Sequence, residues 1–156
     1  MSQLLGRITA YRSATHAFLI AVNNVTPENI DVCSPDGWSA RQVIHHVADS
    51  ESQSHGRLCR ILAEPGSTIS GYDEGLWART PTLGYQDLPI ENSLAVFTSV
   101  RNSSADILDR ITEGDLELEV VHTESGKYTL DDWLRLYTNH PAEHAEQLAR
   151  AIQGKS

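Results

Sequence analysis

Leu4, Ile8, Tyr11, Thr15, Phe18 and Val22 follow one another in alternating steps of four and three residues. A helix turns about 100° per residue, so this rhythm lays all six along one stripe and leaves the opposite side to water. Such a stripe has to be covered, and other helices of the same kind cover it best. The pattern predicts a first helix from about Gln3 to Asn23 and a bundle around it.

Three further helices follow from start and stop signals. Ser39 with Gln42 three residues on is a capping box, and Trp38 ahead of it can pack on Val43 as a hydrophobic staple. This second helix continues through Val47, Leu58, Ile61 and Leu62 and stops at Pro65-Gly66. The third begins near Pro89, carries Leu94, Phe97, Val100, Ile107, Leu108 and Ile111, and ends at Gly114. Thr129 and Asp132, with Tyr128 and Trp133 as staple, open the last helix, which runs to about Ile152. The expected fold class is all-α: a four-helix bundle with long connections, forming one domain over residues 1–156. Residues 64–88 hold a brief helical piece around Asp73–Ala78, and residues 115–128 alternate weakly before Ser125-Gly126, which suggests a small hairpin.

Composition narrows the function. A chain of 156 residues buries enough surface to fold without a disulfide or metal. The formal charge is −9, from 21 acidic against 12 basic residues, with no basic stripe, which disfavours nucleic acid as a partner. No apolar run reaches membrane-span length, and Ser, Arg, Thr and His interrupt the first stretch, so neither a membrane segment nor a signal peptide is expected. Cys33 and Cys59 form no C-x-x-C pair and read as reduced thiols of a cytoplasmic protein.

The chemistry lies in the histidines. His140 and His144 are one turn apart on the last helix, and the series Trp133, Tyr137, His140, His144, Leu148 puts both on its apolar stripe. Rings turned into a core need partners for their nitrogens, and one metal ion would satisfy both. A third ligand should come from another helix. Successive residues point about 100° apart, so only one of His45 and His46 faces inward. His46 shares a face with Val43, Val47, Ser50, Leu58 and Ile61, whereas His45 lies beside Arg41, Asp49 and Ser52, so His46 is favoured. On spacing alone, three ordinary histidines bonded to hydroxyls or carbonyls remain an equal alternative. His16, His45 and His55 read as surface residues, and His122 as a loop residue.

Four stretches carry a family resemblance: GWSARQVIHHVADSE at 37–51, GYDEGLWA at 71–78, LPIENSL at 88–94 and HTESGKYTLDDWLRLYTNHPAEH at 122–144. The chain resembles the DinB/YfiT-like proteins, closest to the YfiT-type branch, which is described as metal-dependent hydrolases and includes bacillithiol S-transferases. The resemblance implies a four-helix bundle, often homodimeric, that binds one divalent metal through three histidines. The family's first ligand lies eight residues after the tryptophan of its W-S/T motif, here His46 after Trp38. The other two form an H-x-x-x-H pair, here His140 and His144. Two departures stand out. Glu143 replaces a second histidine common in YfiT-type sequences, and Pro141 lacks the amide that would bond the Tyr137 carbonyl. Pro141 therefore predicts a kink or widening between the two ligands.

Three imidazoles leave an open position on a metal, the layout of catalytic sites. Zinc or nickel fits such a donor set. The expected function is hydrolysis, or transfer of a low-molecular-weight thiol to a small-molecule electrophile, with a non-catalytic metal- or small-molecule-binding bundle as the rival. Asp49 offers an acceptor for the His46 ring, though a solvated carboxylate is the simpler reading. Glu51, Glu124 and Glu143 are proton-carrier candidates that the sequence does not rank. Tyr72, Asp73 and Trp77 either line a pocket or cover the bundle.

Overall fold

The computed structural model describes residues 3–155. In chain order the elements are α1 (Gln3–Val22), α2 (Ala40–Ala63), β1 (Thr68–Ile69), α3 (Glu74–Arg79), α4 (Glu91–Leu108), β2 (Glu119–His122), β3 (Gly126–Thr129) and α5 (Leu130–Ala151). The four long helices pack with α1 mainly on α5 and α2 on both α4 and α5. No helix among the described residues is long and apolar enough to cross a membrane.

Both capping boxes form. Gln42 N donates to Ser39 Oγ at 3.3 Å while Ser39 N donates to Gln42 Oε1 at 2.9 Å. Thr129 and Asp132 make the same exchange at the start of α5, both bonds at 3.1 Å. Each exchange satisfies two amides that a helix start otherwise leaves free. Trp38 joins the apolar cluster that holds Val43, and Tyr128 joins the one that holds Trp133.

The expected hairpin is present, with Val120 opposite Tyr128 and His122 opposite Gly126. Gly126 takes the positive φ of 77° that its turn requires. A third strand was not foreseen: β1 adds in parallel along β2, pairing Thr68 with Val121. Two residues are too few to show alternation. The third helix also ends earlier than expected, at Leu108 rather than Gly114. Thr112 is extended, and its amide donates to Asp115 Oδ2 at 2.7 Å, opening a 3₁₀ turn over Glu113–Glu117. This local side-chain bond competes with the helix and wins.

The core falls into two apolar halves. One gathers Tyr11, Leu58, Leu108, Trp133 and Tyr137 with the sheet residues Ile69, Val120 and Tyr128. The other gathers Phe18, Val43, Ile44, Val47, Phe97 and Leu148. Between them each of the four long helices contributes something polar: Thr15 from α1, Glu51 and Ser54 from α2, Arg101 and Ser104 from α4, and the histidine turn of α5.

Candidate metal centre

His46 projects from the second turn of α2, a position set by the Ser39 cap. His140 and His144 project one turn apart from the middle of α5. Their Nε2 atoms converge, with separations of 3.3 Å (His46–His140), 3.2 Å (His46–His144) and 3.0 Å (His140–His144). Two ligands about 2.0–2.1 Å from a tetrahedral metal stand about 3.3–3.4 Å apart, so the triangle is close to the size one ion needs. No other group of three potential ligands comes together among the described residues.

The protonation state also suits a metal. Burial pushes the His46 ring down to about 3 and the His140 ring down to about 2, with His144 adding electrostatic opposition in both. Burial lowers His144 as well, against the stabilising effects of Gln147, Glu74 and Glu143. All three are neutral near pH 7 and have a lone pair to offer. His144 Nδ1 donates to Gln147 Oε1 at 2.6 Å, which turns its Nε2 lone pair toward the other rings. Nδ1 of His46 and of His140 is buried with no hydrogen-bond partner among the described residues. Without a cation both rings must keep their proton on Nε2 or leave a buried Nδ1–H unpaired, and a single lone pair on His144 cannot accept from two donors. The donor set fits one ion better than it fits a hydrogen-bonded trio.

A cleft of ≈500 Å³ opens beside the cluster, lined by Trp38, Glu74, Glu143, His144, Gln147 and Arg150 among others. Trp38 closes one side, its ring meeting His46 edge-on at 5.1 Å. Glu74 Oε2 lies 3.6 Å from His46 Nε2, and its side chain is otherwise 62% exposed. It begins α3, whose start is fixed by Asp73 Oδ1 accepting from Leu76 N at 2.7 Å. Tyr72 and Trp77, rings 4.5 Å apart, brace this segment rather than line the cleft.

Several expectations need correction. His45 is 5% exposed, not a surface residue: Nε2 donates to the Leu88 carbonyl at 3.1 Å and Nδ1 accepts from Ser93 Oγ at 2.8 Å. The approach to α4 packs over this face of α2 and brings the polar partners that make burial tolerable. Asp49 does not orient His46, whose Nδ1 has no hydrogen-bond partner among the described residues; it accepts instead from Tyr85 OH at 2.5 Å. Glu51 is buried against Arg101, and Glu124 lies in the hairpin turn beside Gly71. Only Glu143, of the three acids named from sequence, lines the cleft. His16 is exposed as expected, His55 half-buried against Ser104, and His122 accepts amides of its own turn through Nδ1. α5 continues from Leu130 to Ala151 with Pro141 inside it.

Residues 10–148 match the DinB superfamily along most of the chain. The chain belongs to this superfamily. Its relatives include proteins named "Putative metal-dependent hydrolase". The one from Bacillus mycoides is 34% identical over 72% of this chain and 63% of its own length. Those from Oceanobacillus iheyensis and Bacillus cereus are 32% and 31% identical, over 76% and 85% of this chain and 67% and 76% of their own lengths. The chain thus spans about two thirds of the first relatives it matches. A solved structure, YfiT from Bacillus subtilis, is described as a probable metal-dependent hydrolase with an unusual four-helix bundle topology. It superposes with a TM-score of 0.86 at 25% identity, covering 100% of this chain and 91% of that one.

Sequence reasoning missed Glu74, Gln147 and Arg101. Gln147 carries a signal, three residues after His144 on the same face. So does Arg101, a lone cation between Phe97 and Leu108 on the apolar stripe of α4. Glu74 carries none, since only the fold brings its loop to the histidines.

The buried rings make a pH prediction for the metal-free protein. Their folded values lie below the ordinary 6.5, so below that pH the unfolded chain binds more protons. The stability tied to neutral rings is complete above about 6.5 and is lost as pH falls through the folded values. Glu51 acts the other way, because burial raises it to about 7 despite Arg101, so its contribution falls as pH rises from 4.5 to that value. Three histidines outweigh one carboxyl. The guanidinium midpoint of metal-free protein should be lower at pH 5 than at pH 7.5, and an equal or higher midpoint at pH 5 contradicts the burial described.

Proposed function

We propose that the chain is a metal-dependent enzyme acting on small molecules, with His46, His140 and His144 holding one divalent ion, zinc or nickel. The observation that carries this is the convergence of three neutral Nε2 atoms, 3.0–3.3 Å apart, beside a cleft that also holds a carboxylate. When bound, the ion supplies Lewis acidity and favours the deprotonated form of a nucleophile. The chain's residues do the rest. Gln147 holds the His144 ring in the tautomer whose Nε2 faces the cluster. Trp38 covers His46 and keeps water from that side. Glu74 Oε2 receives the proton of the attacking group, either water for hydrolysis or a low-molecular-weight thiol for S-transfer. The ≈500 Å³ of the cleft accommodates a thiol together with its electrophilic acceptor, which favours keeping transfer beside hydrolysis.

Metal analysis of purified protein, then assays with an ester panel and with monochlorobimane plus several thiols, tests the proposal. Turnover that requires metal supports it; stoichiometric metal without turnover on any substrate favours the binding-only bundle; no metal at all removes it. Glu74→Gln should lower kcat by about 100-fold while metal stoichiometry stays unchanged. Full activity in that variant would take the proton-accepting role away from Glu74.

A further inference from the structure

Pro141 stands between the two histidines of α5 and has no N–H, so the helix cannot supply the usual donor to the Tyr137 carbonyl. A carbonyl left unpaired in a core costs about 1–3 kcal/mol and invites the turn to open. Here the donor comes from another helix. Arg101 of α4, its side chain fully buried, donates from one guanidinium nitrogen to Tyr137 O at 2.6 Å. The same nitrogen reaches Glu51 Oε1 of α2 at 3.2 Å. The second nitrogen donates to Tyr11 O of α1 at 2.6 Å, and Nε donates to Thr15 Oγ1 at 2.7 Å. The guanidinium also lies 3.4 Å over the Tyr11 ring.

We propose that Arg101 is the positioning residue of the His140–His144 pair, replacing the helix bond that Pro141 removes and so holding that turn of α5 at the spacing the site needs. This rests on the metal reading given above. The cation is tied to α1 and α2 by independent bonds, so Tyr137 O is pinned to the bundle rather than merely satisfied. His140 follows Tyr137 by three residues and His144 begins the next turn, so the position of that carbonyl sets the separation of the two rings. A planar, always-charged fork reaching four acceptors suits the task, whereas a lysine ammonium cannot reach them all.

The test measures cobalt(II) affinity by chelator competition, with the visible d–d spectrum of the loaded protein and circular dichroism as a check on folding. Arg101→Lys should weaken cobalt binding by about tenfold and alter the d–d bands. Thr15→Val, which removes the Nε acceptor and the Thr15 Oγ1 bond to Tyr11 O within α1, should weaken binding by about threefold and keeps the question answerable if the lysine variant does not fold. Adding Pro141→Ala, which returns the missing amide, should restore most of the affinity in either background. Folded variants that bind as the parent does, or losses that Pro141→Ala leaves untouched, overturn the positioning role. A parent protein that binds no cobalt overturns the metal reading itself.

Discussion

His144→Ala should abolish stoichiometric metal binding and bring any metal-dependent turnover to background, a loss of at least about 100-fold. The alanine removes one corner of a triangle whose sides are only 3.0–3.3 Å, leaving His46 and His140 as a two-point site. It also frees Gln147, which holds the His144 ring through Nδ1. Two neutral imidazoles hold a divalent ion far more weakly than three, because each ligand contributes to one shared equilibrium. The fold should survive, since the ring is only half-buried and faces the cleft. Metal content by mass spectrometry and unfolding midpoints with and without zinc report both effects. A variant that keeps one equivalent of metal would mean the ion is held elsewhere.

The second large effect is on stability. Arg101→Met should lower the unfolding free energy by about 3–5 kcal/mol, the usual result of stripping one partner from a buried ion pair. At about 2–4 °C per kcal/mol for a chain of this size, the midpoint falls by about 6–20 °C. The methionine fills much of the volume, so the cost is electrostatic. Glu51 Oε1, Tyr137 O and Thr15 Oγ1 lose the guanidinium donor at once, and Tyr11 O keeps only its bonds within α1, among them Thr15 Oγ1 at 3.2 Å. Glu51 then takes up a proton more readily, which limits the damage. Arg101→Met with Glu51→Leu should therefore be more stable than Arg101→Met alone, by about 1–2 kcal/mol. Thermal and urea unfolding of the two variants settle the matter, and a single-variant loss below about 1 kcal/mol would show that the pair is not the linchpin described.

The sequence made the helices legible because their signals are local. Ser39 with Gln42 and Thr129 with Asp132 sit next to the termini they define, and the stripe of α1 needs nothing beyond α1. The histidine triad was legible for a mixed reason: facing direction favoured His46 over His45, and the family motif named the same residue. What stayed hidden depends on contacts between distant segments. His45 read as exposed because its partners Leu88 and Ser93 are more than forty residues away. Glu74 reaches the histidines only after residues 64–90 fold back over α2. The repair of Pro141 is of the same kind, since the sequence shows the missing amide but not the guanidinium that answers it.

The polar layer between the two apolar halves bears on how the helices align along their length. Oily faces alone tolerate a slide of one turn, because leucine against leucine is much the same at either setting. A guanidinium bound to all three neighbouring helices removes that freedom, since shifting any of them strands a charge in hydrocarbon. Alignment of the bundle is thus dictated by Arg101 as by a key in a keyway, and the sequence around it is free to drift in volume as long as the key still turns.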